Sequence, residues 1–149
     1  QVEAQPARMS IFNAADAERY VAFIDRYPLP LDSALAVFSW AIHGRDGRVV
    51  GLIDKVDAAA LAAVPALRRT TEQSFVAEQP SFFRGTYLQE GDTLVLESMS
   101  PPLARQAAEL LGRHFHPRQA NTIALFDLDE RNLRGYSAAD LQALLSARF

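Results

Sequence analysis

Residues 33–54, "SALAVFSWAIHGRDGRVVGLID", constrain the fold more than any other stretch of the chain. Two runs rich in apolar, β-branched and aromatic residues flank Asp46-Gly47. A type I′ hairpin turn needs positive φ at both central residues, and Asp-Gly supplies it at low cost. A strand over 34–43, returning over Val49–Ile53, is therefore expected. Ala36, Phe38, Trp40 and Ile42 would share one face, and Leu35, Val37, Ser39, Ala41 and His43 the other. Apolar groups on both faces predict a central strand.

The elements around this hairpin follow from periodicity and punctuation. Asn13 has the chemistry of an N-cap, with Asp16 three residues on. Tyr20, Phe23, Ile24 and Tyr27 recur at helical spacing, so one helix face is expected there, ended by Pro28 and Pro30. Residues 57–77 read as helical, with Asp57 as cap. Pro65 is costly inside a helix, so the pattern predicts a short helix over 58–64 and a second over 65–77. Residues 82–88 and 93–99 read as a second hairpin about Gly91-Asp92. Ser100-Pro101 opens a helix whose buried face is Leu103, Ala107, Leu110 and Leu111. Residues 122–128 read as a further strand. Ser137, aided by Asp140, caps a last helix with Leu141, Leu144 and Leu145 inward.

Strand pairs separated by helices imply an α+β domain. The expectation is a mainly antiparallel sheet of about five strands built from two hairpin-helix units, with an N-terminal and a C-terminal helix packed on one face. Residues 1–12 form a loose lead-in, and 1–149 read as a single domain because no Ser/Gly/Pro-rich linker divides them.

Composition removes several functions. The formal charge is -3, and lysine and arginine together number 15 against 18 acids. Arg68-Arg69 is the only adjacent basic pair, whereas a nucleic-acid protein concentrates positive charge in a stripe. No apolar run is long enough to span a membrane as a helix. The chain lacks cysteine, so disulfides, thiolate zinc sites and cysteine nucleophiles are excluded. The sequence starts at Gln1; an export signal removed from its front fits that, as does a trimmed chain, and the expectation leans to an exported or periplasmic protein. A domain cut from a longer protein is also compatible with it.

The stretch "TIALFDLDERNL", residues 122–133, ends an apolar run in Asp-x-Asp. It resembles the first motif of the haloacid-dehalogenase-type phosphatases, over roughly ten residues. That resemblance implies Asp127 as nucleophile and Asp129 as acid/base. The sequence departs from the motif after Asp129: Glu130 and Arg131 stand where the family has a small residue and then Thr or Val. The chain also ends before the downstream lysine and acids of that fold would occur. The reading adopted is a strand whose acids begin a turn near the next helix N-terminus, where negative charge is favoured.

Other candidates weigh similarly. His114 and His116 flank a helix end, where imidazoles satisfy terminal carbonyls, and no third metal ligand is evident. His43 could act as a base near neutral pH, yet no nucleophile motif accompanies it. Glycine-rich phosphate loops are absent, and no metal or cofactor is expected. Arg84 and Glu97 are placed to pair across the second hairpin.

With no nucleophile, base and orienter matched, the leading expectation is a non-enzymatic protein-binding module, an adaptor, chaperone-like or inhibitory protein. It would use a sheet face or an edge strand, expected from the second hairpin, as in strand addition. Leu29 and Leu31, in the proline-fixed stretch "YPLPLD", are candidate partner contacts. Another protein is the expected partner, and a homo-oligomer is compatible. The alternative is a small-molecule pocket, catalytic or not, lined by His43, Arg84, Tyr87 and Glu97.

Overall fold

A computed structural model of the chain describes residues 9–115 and 122–146. The protein is α+β, with a five-stranded antiparallel sheet and four helices among the described residues. Internal contacts gather into two compact units. One comprises residues up to 37, 99–128 and 133 onward; the other comprises 38–98 and 129–132.

The first unit begins with helix α1, Ala14–Val21. Asn13 caps it as its sequence predicts, its side chain accepting the Asp16 N–H at 3.1 Å. The expected apolar face is not buried: Tyr20, Phe23 and Tyr27 are 81%, 59% and 52% exposed, while Val21 is buried. The helix also stops short of residue 27, and a 3-10 turn, Ile24–Arg26, follows it.

The expected strand over 34–43 is divided. Strand β1, Ser33–Ala36, belongs to this unit, and β2, Ser39–Arg45, to the other. The division falls where Val37 donates its N–H to the Phe126 carbonyl at 2.7 Å. The segment is thus shared between two different sheets.

The second unit contains that sheet. Strand β3, Arg48–Asp54, returns from β2 through the turn the sequence predicts, with φ of 51° at Asp46 and 74° at Gly47. Helix α2, Ala58–Ala62, is capped by Asp57, whose carboxylate accepts the Ala60 N–H at 2.7 Å. The helix expected over 65–77 does not form. Pro65 ends the helical pattern, and two strands follow, β4 (Leu67–Arg69) and β5 (Ser74–Ala77). Burial of Leu67, Phe75 and Ala77 explains this, because antiparallel pairing sends all three into one core. Tertiary packing here overrides local helix propensity.

Strands β6 (Ser81–Phe83) and β7 (Thr86–Leu88) form their own tight hairpin, so the second hairpin expected from sequence is corrected too. Its turn is Arg84-Gly85, with φ of 48° and 80°. Strand β8, Thr93–Ser98, pairs with β2 and β5 instead of returning on 82–88. The sheet order is β3-β2-β8-β5-β4. Ala41, Ile53, Leu94, Leu96 and Phe75 cluster with Leu61 and Val56 beneath α2, and with Phe83 and Leu88 of the small hairpin. Each Val, Leu, Ile or Phe among them contributes roughly 1.5–3 kcal/mol when fully buried.

The remaining elements belong to the first unit. Helix α3, Pro101–His114, starts at Ser100 with prolines in its first turn, although Ser100 makes no side-chain cap bond. Ala107 and Leu110 are buried on it, and Leu103 and Leu111 are half-buried, as their spacing predicts. Strand β9, Ile123–Phe126, pairs in parallel with β1 instead of joining the five-stranded sheet. After a 3-10 turn, Asn132–Gly135, helix α4 spans Ala138–Leu145. Ser137 and Asp140 form a reciprocal capping box there. Leu144 is buried, whereas Leu145 is 56% exposed and does not face inward as expected. Leu35, Val37, Met99, Ala104 and Ala108 form this unit's core with Leu144.

Candidate functional site

The two edges of the five-stranded sheet differ. Strand β4 has three residues, and its cations are engaged. Arg68 pairs with Glu78 at 2.5 Å, and the Arg69 guanidinium donates to the Thr71 and Glu72 carbonyls. Shortness and charge are the usual protections of a sheet edge. Strand β3, from the first hairpin and not the second, has seven residues; Ile53 is buried, and its other apolar side chains are exposed. Val49, Val50 and Leu52 are 69%, 51% and 54% exposed.

Backbone polarity on β3 follows from register. Lys55 donates its N–H to the Ser39 carbonyl at 2.8 Å, and Ala41 and His43 stand opposite Ile53 and Gly51. Hydrogen-bonding direction alternates along an antiparallel pair. Residues 51, 53 and 55 thus turn their amide groups to β2, and Leu52 and Asp54 turn theirs outward. A β-bulge near His43/Gly44 places an extra residue on β3 at Val50. At the end of the strand, Arg84 donates to the carbonyls of Asp54 and Lys55.

The sheet face that includes Leu52 is apolar and half-exposed. Ile42 stands between Leu52 and Val95 in register, and Trp40 between Asp54 and Glu97. Phe38 packs on Trp40 with ring centroids 5.2 Å apart. Glu97 is buried and accepts the Trp40 indole N–H at 2.8 Å.

Behind the edge, on the opposite face of β2, lies a buried polar network that the sequence reading missed. Asp92 is 1% exposed. Its Oδ1 accepts Arg45 Nε at 2.8 Å, and its Oδ2 accepts Arg45 Nη2 and His43 Nε2, each at 2.7 Å. The Gln89 N–H adds a bond to Oδ2 at 2.8 Å. The bidentate Arg45 bonds hold Asp92 far below the usual carboxylate range, against the opposing pull of burial; Gln89 and His43 act in the same direction. The Asp92 backbone carbonyl also accepts the Ala77 N–H at 2.8 Å. One residue therefore ties β2, the 89–92 turn and β5 together. In sequence Asp92 is simply the second residue of a Gly-Asp turn. Its role depends on β8 lying beside β2, a pairing that local sequence does not announce.

The four residues expected to line a ligand pocket do not converge. His43 is in the Asp92 network on one face of the sheet, and Glu97 meets Trp40 on the other. Arg84 is exposed at the β6–β7 turn, its guanidinium over the Phe83 ring at 5.4 Å from the centroid. The expected Arg84–Glu97 cross-strand pair is absent from the register, because β8 does not pair with β6 or β7. Tyr87 is 45% exposed against Phe82, and close enough to Arg45 to interact electrostatically.

In the first unit, Leu29 is 61% exposed and Leu31 half-buried. An open cleft of about 600 Å³ lies along α3 and α4, and its arginines have partners. Arg105 is 3.8 Å from Asp140, and Arg113 3.8 Å from Glu18. An apolar cavity of about 170 Å³ lies beneath α1 and α3, lined by Phe12, Leu35, Met99 and Leu110 among others. That is smaller than the roughly 300 Å³ at which ligand pockets begin.

The Asp-x-Asp pair spans a boundary, with Asp127 in the first unit and Asp129 in the second. Asp129 accepts the Arg131 N–H at 2.9 Å and pairs with Lys55 at 3.2 Å. Both interactions lower its pKa, the backbone bond most. Asp129 therefore begins a turn, and Asn132 closes the segment by accepting the Ser39 N–H at 3.2 Å. Among the described residues no group of three or more His, Asp or Glu side chains is arranged to hold a metal. His114 pairs with Glu18 at 2.9 Å, and His116 lies outside the described residues. No described helix is long and apolar enough to cross a membrane. Compared with known proteins, the chain matches no family model, no curated protein and no solved structure.

Proposed function

We propose that the protein is a non-enzymatic protein-binding module whose working surface is the β3 edge of its sheet. The observation that carries this reading is the contrast between edges: β4 is short and engaged by charge, while β3 is long and presents Val49, Val50 and Leu52. An outward row of backbone donors and acceptors beside exposed apolar side chains suits an added strand. Main-chain bonds would supply affinity, and the Leu52–Ile42–Val95 row would read the incoming side chains.

Site-specific photo-crosslinking tests this. A photoreactive residue is placed at position 52, and another at Arg68 on the opposite edge, with each protein expressed in the native host. A discrete adduct from position 52 and none from position 68 is expected. No adduct from 52, or equal yields from both positions, overturns the reading. A Leu52→Lys change elsewhere in the experiment should leave folding intact, as exposed substitutions usually alter stability by under about 0.5 kcal/mol.

A further inference from the structure

We infer that the first unit holds a separate binding site: the slot beneath α1 and α3 takes one small, uncharged aromatic molecule the size of a single ring. Every residue lining the slot belongs to that unit, so the site is independent of the β3 edge. The slot follows from where the chain places alanine. Ala17 on α1, Ala34 and Ala36 on β1, and Ala107 on α3 all line it. Wall positions on three elements thus carry a single methyl group each, and the elements meet around a gap of about 170 Å³. Its floor is closed, because Val21, Leu35, Met99 and Leu110 are buried. Its mouth is at Ala34, which is exposed, and Ala17, which is half-buried.

Size selects the occupant first. Protein interiors are close-packed and leave few voids larger than a water molecule. An apolar cavity of roughly 150 Å³ stays dry and admits benzene. The slot in this unit is of that scale, too small for a drug-sized ligand and large enough for one ring. Its lining atoms lack contacts on the open side, and a fitted molecule restores them.

Chemistry selects it next. No lining side chain carries a charge or a hydrogen-bond donor. Backbone groups nearby are committed: the Met99 carbonyl accepts the Tyr136 hydroxyl at 2.6 Å, and Ala34 and Ala36 belong to the β1–β9 ladder. A carboxylate, phosphate or ammonium group entering the slot would lose its hydration and gain no partner. An aromatic ring is favoured over an aliphatic one of the same size. Phe12 offers a ring face or edge, and the Met99 thioether offers a sulfur contact.

Titration of the full chain with toluene, followed by the NMR signal of the Met99 methyl group and by thermal melts, decides the matter. The wild type should show a saturable shift at Met99, with a dissociation constant on the order of 0.1–1 mM for so small a ligand. Its melting temperature should rise with toluene concentration. The methyl signals of Leu94, in the core of the sheet unit, should not move. Benzoate, the same ring bearing a charge, should produce neither effect, and cyclohexane at equal free concentration should bind more weakly. Ala107→Leu fills the slot from its floor and should weaken toluene binding by about tenfold or more. Ala17→Leu fills it from the mouth and should do the same, which keeps the test intact if the floor substitution disturbs folding. Ala139→Leu, exposed on α4 and outside the slot, should bind as the wild type does. A Met99 signal that stays still or drifts without saturating overturns the inference. So does benzoate or cyclohexane binding as well as toluene, or a folded Ala17→Leu protein with undiminished affinity.

Discussion

Asp92 is the residue on which the sheet unit turns. A carboxylate that is 1% exposed would be unfavourable without partners, and Arg45, His43 and Gln89 supply them. Asp92→Asn removes the charge and turns an amide NH₂ toward a nitrogen donor, since both carboxylate oxygens accept from nitrogen. Loss of about 3 kcal/mol at neutral pH is expected, within the range for breaking a buried pair, as measured by urea denaturation. The folded pKa lies below the ordinary 3.8, so the stabilisation is fully present above that value and is lost as pH falls through the folded pKa. The gap between wild type and Asp92→Asn should therefore narrow below about pH 4. A gap independent of pH would show that the carboxylate's charge is not what the network stabilises.

At the scale of elements, caps and turns define boundaries. The capping box of α4 joins the Ser137 hydroxyl to the Asp140 N–H at 3.1 Å, and the Asp140 carboxylate to the Ser137 N–H at 2.9 Å. Ser137→Ala should cost about 1 kcal/mol, read as faster amide exchange in α4; unchanged exchange would mean that packing of Leu144 alone sets the helix. These same caps were legible from sequence, as Asn13, Asp57 and Ser137 show, because capping is a contact over three residues. The Asp46-Gly47 hairpin was legible for the same reason. What could not be read was pairing at a distance. Residues 65–77 carry a helical composition, yet Phe75 and Ala77 are drawn into strand pairing with β8 and β4. Strand β1 and strand β2 look like one apolar run, and only the pairing of β1 with β9 separates them. The pocket residues failed to converge on the same ground. His43 and Glu97 belong to strands that do pair, but at positions whose side chains fall on opposite faces. Arg84-Gly85 was missed as a turn because arginine seldom adopts positive φ.

At the scale of the whole molecule, the most accessible association surface on the sheet is a strand with open backbone groups and exposed valines and leucine. An edge of this kind either receives a strand or invites aggregation. Leu52→Lys should therefore raise solubility while abolishing specific association, and loss of solubility on that change would argue that Leu52 packs within the chain. The central claim is that β3 is where a partner strand adds, and residue-resolved amide exchange tests it most directly. Spectra are compared for dilute protein and for protein in the associated state, whether with itself or with a crosslinked partner. The predicted result is new protection at Leu52, whose amide points away from β2, with the already paired amides of β5 and β8 unchanged. Protection that appears instead along α3 and α4, with Leu52 exchanging as fast as before, would contradict it.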